Sequence, residues 1–392
     1  MITRHIKLPY TKKSIFLFGP RQVGKSTYVR HLFANKKYFE IDLLRNQTLI
    51  KYSSNPDILI SEVEYILQTN DKYYIFIDEI QKCPKLLDEI HYLLEAFKGC
   101  LFFILTGSSA RKLKRSSVNM LGGRAWQFFL FPLTHEELGD AFQLEMALLK
   151  GTLPPIINES KEDAYRTLRA YVQTYLKEEI LDEAITRNIS AFSQFFDIAA
   201  DQSGQIVNYS TLARDTGVSS KTIKGYYQIL VDTLVAIKLE PYLKSARKRI
   251  VKHPKYFLFD MGVINACCGR FGTLPVQGTT IYGLLFEHFI ILETFRLIHY
   301  YEKAYRLYHW RSANGAEVDL IVKTSDALWA IEIKSARTVK TKNLKGLKSF
   351  IEDYSDARPV CVCTSDTPYM AGNIKVLPWK QFFSEIIINN GI

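Results

Sequence analysis

Cysteine is scarce in this chain, and long apolar runs are missing. Six cysteines stand among 392 residues, at Cys83, Cys100, Cys267, Cys268, Cys361 and Cys363. None belongs to a C-x-x-C pair with histidines nearby, which argues against a structural zinc module. Adjacent Cys267 and Cys268 are poorly placed to form two bridges, so the expectation is reduced thiols in a cytoplasmic protein. No apolar run approaches the roughly 20 residues of a membrane span, and Met1 to Lys7 lacks the apolar core of a signal peptide. Acidic residues are the minority charge, 40 against 51 Lys and Arg, giving a net charge of +11. A basic balance of that kind favours polyanionic partners over acidic ones. With 47% hydrophobic and 23% charged residues the chain is not disordered, and its length suits two or three domains.

What is present begins with Ile15-Phe16-Leu17-Phe18-Gly19-Pro20-Arg21-Gln22-Val23-Gly24-Lys25-Ser26-Thr27. An apolar strand runs into G-x-x-x-x-G-K-[ST], and a helix comes next. Wrapping a triphosphate in backbone N–H groups requires conformations that a Cβ forbids, hence Gly19 and Gly24. The helix starting near Lys25 points its positive end at the phosphates. Lys25 supplies a point charge to the β/γ oxygens and the Ser26 hydroxyl reaches Mg²⁺. Pro20, Arg21, Gln22, Val23 and Thr27 complete the cradle. A Gly-rich turn that binds nothing is the alternative.

Downstream, Lys72 to Glu79 reads as a buried parallel strand ending in two carboxylates. The carboxyl ends of strands are where open α/β sheets place ligands. Asp78 would hold the Mg²⁺ shell and Glu79 would act as general base toward water. A further strand, Cys100 to Leu105, ends in Thr106-Gly107-Ser108-Ser109. Thr106, and after it Ser108, could contact the γ-phosphate or the lytic water, or simply cap the next helix. Arg124 precedes the strand Trp126 to Phe131, placed to reach a phosphate across a subunit boundary or to sit on the surface.

These motifs resemble a prokaryotic branch of AAA-type P-loop ATPases, carrying G-P-R-Q-V-G-K-S at Gly19 to Ser26, D-E-I-Q-K-x-P at Asp78 to Pro84, L-T-G-S-S-A at Leu105 to Ala110, L-x-G-R at Leu121 to Arg124 and F-P-L-x-x-x-E at Phe131 to Glu137. The resemblance implies Mg²⁺ and water activation at Asp78 and Glu79, a sensor at Thr106 and an arginine finger at Arg124.

Further along, Glu136 to Leu149 and Asp163 to Ile185 read as helices. Ser210 to Ile223 reads as helix, Gly turn and helix, with Ile223, Tyr227, Leu230 and Val231 inward and Lys221 and Lys224 outward. Two strands come after it, Val235 to Leu239 and Tyr256 to Phe259. Between them, Lys244 to Lys255 is rich in Lys and Arg and holds no acid. That describes a winged helix with a basic wing, a unit suited to DNA or to protein contact.

Leu284 to Ile298 is a strongly apolar helix in which Glu287 asks for a partner. A hairpin comes next. Alternation puts Glu332 and Lys334 on one face, within reach of Asp319. Oxygen ligands at Asp319 and Glu332 select Mg²⁺ or Mn²⁺, with Lys334 positioning the nucleophile; a structural ion pair is the alternative. Glu287, Asp319, Glu332 and Lys334 resemble the ordered set of the PD-(D/E)xK nuclease superfamily, which implies catalytic roles for all four.

The expected architecture is α/β: an AAA-type ATPase domain at 1–150, a helical and winged-helix segment at 151–275, and a restriction-endonuclease-like domain at 276–392. The expected function is ATP hydrolysis coupled to action on DNA, with ATP and Mg²⁺ as cofactors and a metal-dependent nuclease site. The alternative is an ATP-driven switch whose C-terminal fold holds DNA or protein without cutting. A homo-oligomer fits Arg124; a membrane does not fit the composition.

Overall fold

The first strand shows what organises the N-terminal region. Every residue of β1 (Ser14–Phe18) is buried, because it runs through the middle of a parallel sheet. The computed structural model describes residues 2–70, 72–109, 111, 113, 121–176, 189–243, 253–271 and 274–389. The chain divides into two units, 3–133 with 229–235, and 134–228 with 236–392.

In the first unit β1 is succeeded by α1 (Lys25–Leu32), β2 (Tyr38–Asp42), α2 (Asn46–Ser54), α3 (Ile58–Leu67), β3 (Tyr73–Asp78), α4 (Leu86–Ala96), β4 (Leu101–Gly107) and β5 (Ala125–Phe129). Among the described residues the strand order is β2-β3-β4-β1-β5, with all pairings parallel. The core gathers Phe16, Phe18, Ile75, Ile77, Phe103 and Leu105 from the strands with Leu87, Ile90 and Leu93 from α4. Helix α2 occupies a stretch whose sequence suggests a polar loop. It has no side-chain N-cap and a single buried residue, Tyr52, so its apolar pattern is faint.

The second unit departs from the expected helices. The predicted 136–149 helix is two pieces, His135–Leu138 and Leu144–Lys150. A Thr134/Glu137 capping box opens the first, and Gly139 at φ 52° ends it. The long helix predicted from Asp163 begins at Lys161, and widens to a π-helix at Tyr171–Leu176; the remainder, 177–188, lies outside the described residues. A helix at Tyr209–Thr216 is capped by Asn208. Gly217 makes the turn, and the next helix starts at Ser220. Then β6 (Ala236–Pro241) and β7 (Lys255–Leu258) pair antiparallel. The expected basic wing at 244–252 lies outside the described residues.

Strands β6 and β7 join a larger sheet rather than forming one of their own. Among the described residues that sheet runs β12-β13-β11-β10-β9-β8-β6-β7, where β8 is Arg306–Arg311, β9 Glu317–Lys323, β10 Leu328–Lys334, β11 Arg358–Cys363, β12 Tyr369–Ala371 and β13 Ile374–Pro378. The link is short: Glu240 and Pro241 pair parallel with Tyr308 and His309. The 21-residue helix Thr280–Tyr300 packs against this sheet through residues such as Phe286, Phe289, Ile290 and Leu297. Among the described residues no helix is long and apolar enough to cross a membrane.

Candidate functional sites

Parallel pairing brings the carboxyl ends of β1, β3 and β4 to one edge, and the motif residues collect there. Leu17 lies opposite Thr106, and Phe18 opposite Gly107. The loop after β1 passes so close to the end of β5 that a Cβ on Gly19 would sit 2.1 Å from the Leu130 carbonyl oxygen. Gly24 is left-handed, φ 90°, where it opens α1. The two glycines are thus required for different reasons, close approach at one and backbone hand at the other.

Lys25 is 5% exposed and curls over the loop, donating to the Gly19 and Pro20 carbonyls at 2.8 and 3.0 Å. Arg21 and Gln22 lie on the loop, Gln22 at φ 64°, with Val23 buried beneath. Thr27 sits in the first turn of α1. The Ser26 hydroxyl bonds the Asp78 carboxylate. Thr106 Oγ1 donates to Asp78 Oδ1 and accepts the Glu79 backbone N–H at 3.3 Å. Burial raises the Asp78 carboxyl above its ordinary range, opposed by the hydrogen bonds from Ser26 and Thr106. Arg30 lies 4.0 Å from Asp78 Oδ2 and Lys25 also favours the anion, and the oxygen donors of Ser26 and Asp78 fit Mg²⁺ held by one carboxylate plus phosphates.

Glu79 is left-handed at φ 60°, ψ 48°, a conformation costing about 1–2 kcal/mol for a residue with a Cβ. It persists because the side chain is tethered. Gln81 Nε2 donates to Glu79 Oε2, and also to Ser108 Oγ at 3.0 Å. Gln81 is a contact of the acid pair that sequence reasoning passed over, although it stands inside the D-E-I-Q-K-x-P motif. Thr106 contacts the acid pair directly, whereas Ser108 reaches it through Gln81. Arg124 is elsewhere. Ser14 pairs with Ala125, so Arg124 stands at the amino edge of the sheet, with about 15 Å of strand between it and the phosphate loop. There its guanidinium pairs with Glu95.

The second cluster lies in the second unit. Continuing the antiparallel register in which Leu320 faces Ile331 sets Asp319 against Glu332. Asp319 Oδ2 accepts the Ile333 N–H at 2.7 Å. Lys334 Nζ lies 2.5 Å from Glu332 Oε1 and 4.0 Å from Asp319 Oδ2. Glu287 projects from the Thr280–Tyr300 helix, and its partner is Lys255 on β7, at 3.2 Å. Lys255 Nζ is also 2.7 Å from Glu317 Oε1. Neither Lys255 nor Glu317 entered the sequence-predicted site. Gly346, in the first turn of the Lys345–Asp353 helix, has no room for a Cβ, which would meet Glu317 O at 1.8 Å and Glu332 Oε2 at 3.4 Å. The positive end of that helix therefore lies against Glu332.

Burial and the Asp319 charge push the Glu332 carboxyl up to about 8, and burial pushes Glu287 up to about 7. Both lysines are held protonated by the surrounding carboxylates. Glu332 Oε2 has no hydrogen-bond partner among the described residues. Asp319 and Glu332, the expected metal ligands, stand opposite each other with Lys334 beside both, and among the described residues no group of three or more carboxylate, imidazole or thiol side chains is set to hold a metal ion. Asp319 Oδ2 is engaged by a backbone N–H and Glu287 Oε1 by Lys255.

Residues 11–139 match the family model of an AAA domain. Residues 141–273 and 282–382 match two domains of unknown function, DUF8612 and DUF4143. An uncharacterized protein of Mycobacterium tuberculosis is 26% identical over 372 residues, covering 94% of this chain and 81% of that protein. One from Mycobacterium bovis gives the same figures. An uncharacterized protein of Haemophilus influenzae is 20% identical over 304 residues, 73% of this chain and 72% of its own. The match over 11–139 supports an AAA-type P-loop ATPase domain at the N-terminus.

Proposed function

We propose that the chain is an ATP-hydrolysing AAA-type protein that acts on DNA. The observation that carries the first half is the convergence of Lys25, Ser26, Asp78, Glu79 and Thr106 on one sheet edge. Backbone N–H groups from Gly19 to Gly24 and the start of α1 receive the phosphates. Lys25 exchanges its two carbonyl partners for β/γ oxygens. Ser26 and Asp78 would hold Mg²⁺, which when bound would supply positive charge to the phosphates. Glu79 takes the proton of the attacking water as its oxygen bonds to the γ-phosphorus and the bond to the β–γ bridging oxygen breaks. Arg124, far from its own loop, contributes only to a neighbouring copy's site.

DNA is favoured by the distribution of charge. On the helix after Gly217, Lys221, Lys224, Gly225 and Gln228 form an exposed stripe at helical spacing, opposite buried Ile223, Tyr226 and Tyr227. The antiparallel pair β6 and β7 that comes next in the chain supports reading this segment as a winged helix. Arg337, Lys340, Lys342, Lys345 and Lys348 add further positive charge along the chain after β10. The binding should weaken steeply with salt.

For the acid cluster two readings are distinguished by one assay. That Glu287, Asp319, Glu332 and Lys334 meet favours a nuclease-like site; their neutralisation by lysines favours a module that holds DNA without cutting, which the geometry supports better. Plasmid DNA is incubated in Mg²⁺ or Mn²⁺, with and without ATP, using wild type and Asp319→Ala. Retention without cleavage is the expected outcome. Cleavage that disappears in Asp319→Ala would establish a nuclease, and absence of DNA binding at low salt would remove DNA as the partner.

A further inference from the structure

The lysines in the acid cluster are not equivalent. Lys334 is the one the E-x-K spacing announces, and it is about one-third exposed at its side chain. Lys255 is buried, its side chain only 5% exposed. It comes from the far side of the sheet order, on β7, and faces Glu287 and Glu317 at 3.2 and 2.7 Å, with Asp319 near enough to act on it electrostatically. Four carboxylates, Glu287, Glu317, Asp319 and Glu332, thus share two ammonium groups. Of their buried oxygens, Glu332 Oε2 is the one without a hydrogen-bond partner among the described residues, and Glu332 is only 6% exposed. An unneutralised buried carboxylate group of this size attracts a cation.

We propose that Lys255 is the cluster's built-in counter-cation, and that its ammonium keeps divalent ions out of the Glu287, Asp319 and Glu332 carboxylates. This rests on the reading of those residues as a nuclease-like constellation and adds to it the reason why the constellation is not arranged as a metal site. Lys255 lies directly against the Glu287 carboxylate, through Oε1. An ammonium already seated there repels an incoming divalent ion and competes with it for the carboxylates. The lysine is covalently supplied, so its local concentration is fixed and high. A metal enters only where Lys255 withdraws or is removed.

The test measures Mn²⁺ binding to the full chain without nucleotide, by electron paramagnetic resonance of free Mn²⁺, in wild type, Lys255→Met and Glu317→Gln. Sites are assigned to the cluster by their loss on adding Glu332→Gln. Lys255→Met should bind Mn²⁺ at the cluster at least about tenfold more tightly than wild type. Glu317→Gln removes a carboxylate and leaves the Lys255 ammonium in place, so it should bind Mn²⁺ no more tightly than wild type, and tightening there would overturn the proposal. If Lys255→Met does not fold, Lys255→Gln, which removes the charge and keeps a polar end, decides, and an affinity equal to wild type overturns the proposal. Wild type binding at the cluster as tightly as Lys255→Met also overturns it, while leaving the nuclease-like reading intact. No cluster binding in any of the three proteins overturns both.

Discussion

The phosphate loop and the acid cluster are both collections of charged side chains at strand ends, yet they are built in opposite ways. The loop is one continuous segment, with both its acids supplied by the end of β3, one strand removed from β1. Its conformation is a local backbone matter: Gly24 is left-handed and Gly19 is flattened against a carbonyl. The cluster draws on a helix and three strands, from Lys255 to Lys334. Its charges are settled by one another. In the first site the direct contacts of Asp78 are hydroxyls, with the Arg30 guanidinium no nearer than 4.0 Å. In the second the carboxylates face lysines. Two sites rich in acid therefore have different capacities, decided by what lies opposite the acids.

The sharpest way to break this contrast is at the loop. Lys25→Ala should abolish ATP turnover, measured as phosphate release; normal turnover would mean the loop is not the nucleotide site. Glu79→Gln should retain nucleotide but hydrolyse it about 10² to 10⁴ times more slowly, the usual contribution of a general base. Titration with a fluorescent ATP analogue beside the rate measurement separates binding from chemistry, and an unchanged rate would place the base elsewhere.

Gln81 offers a finer cut. Gln81→Ala frees the Glu79 carboxylate, and kcat should fall roughly ten- to a hundredfold at nearly constant KM. Gln81→Glu keeps the size and removes the amide donor, so it should lose kcat as Gln81→Ala does rather than restore it. A kcat equal to wild type in both variants would reduce Gln81 to a packing role.

The smallest effect belongs to the cluster and shows in stability. Glu287 and Glu332 hold protons in the folded state up to about 7 and about 8, above their unfolded value. Between the ordinary carboxylate range and about pH 8 the folded chain binds more protons than the unfolded one, so stability falls as pH rises through that window. Thermal unfolding at pH 6 and pH 8.5 should show a drop for wild type that is a few degrees smaller, on the order of 2–4 °C, in Glu332→Gln. Equal drops would show that Glu332 ionises freely.

Much of the first unit was legible because its signals are local. Apolar runs ending in Gly19, in Asp78-Glu79 and in Thr106 each announce a buried strand with function at its carboxyl end. Helix α2 was not legible, having one buried residue and no cap. Neither was the tether from Gln81 to Glu79, since both are common residues whose contact depends on the left-handed turn at Glu79. Arg124 was visible as a residue before a strand, but its distance from the loop follows only from the parallel register with β1.

In the second unit the alternation along β10 put Glu332 and Lys334 together, and the apolar helix marked Glu287 as a carboxylate in need of a partner. The partner's identity was hidden. Lys255 is 32 residues away from Glu287, at the end of a stretch rich in Lys and Arg where one more lysine carries no signal.

By itself, then, the sequence determined the phosphate loop, the acids that serve it and the succession of strands, because glycine freedom, strand burial and side-chain alternation act over a few residues. Tertiary structure alone decided which charges face one another. The short pairing of β6 with β8 makes one sheet of two segments, and so carries Lys255 to Glu287 and Glu317. Electrostatic energy depends on separation in space, and the order of residues along the chain does not encode that separation.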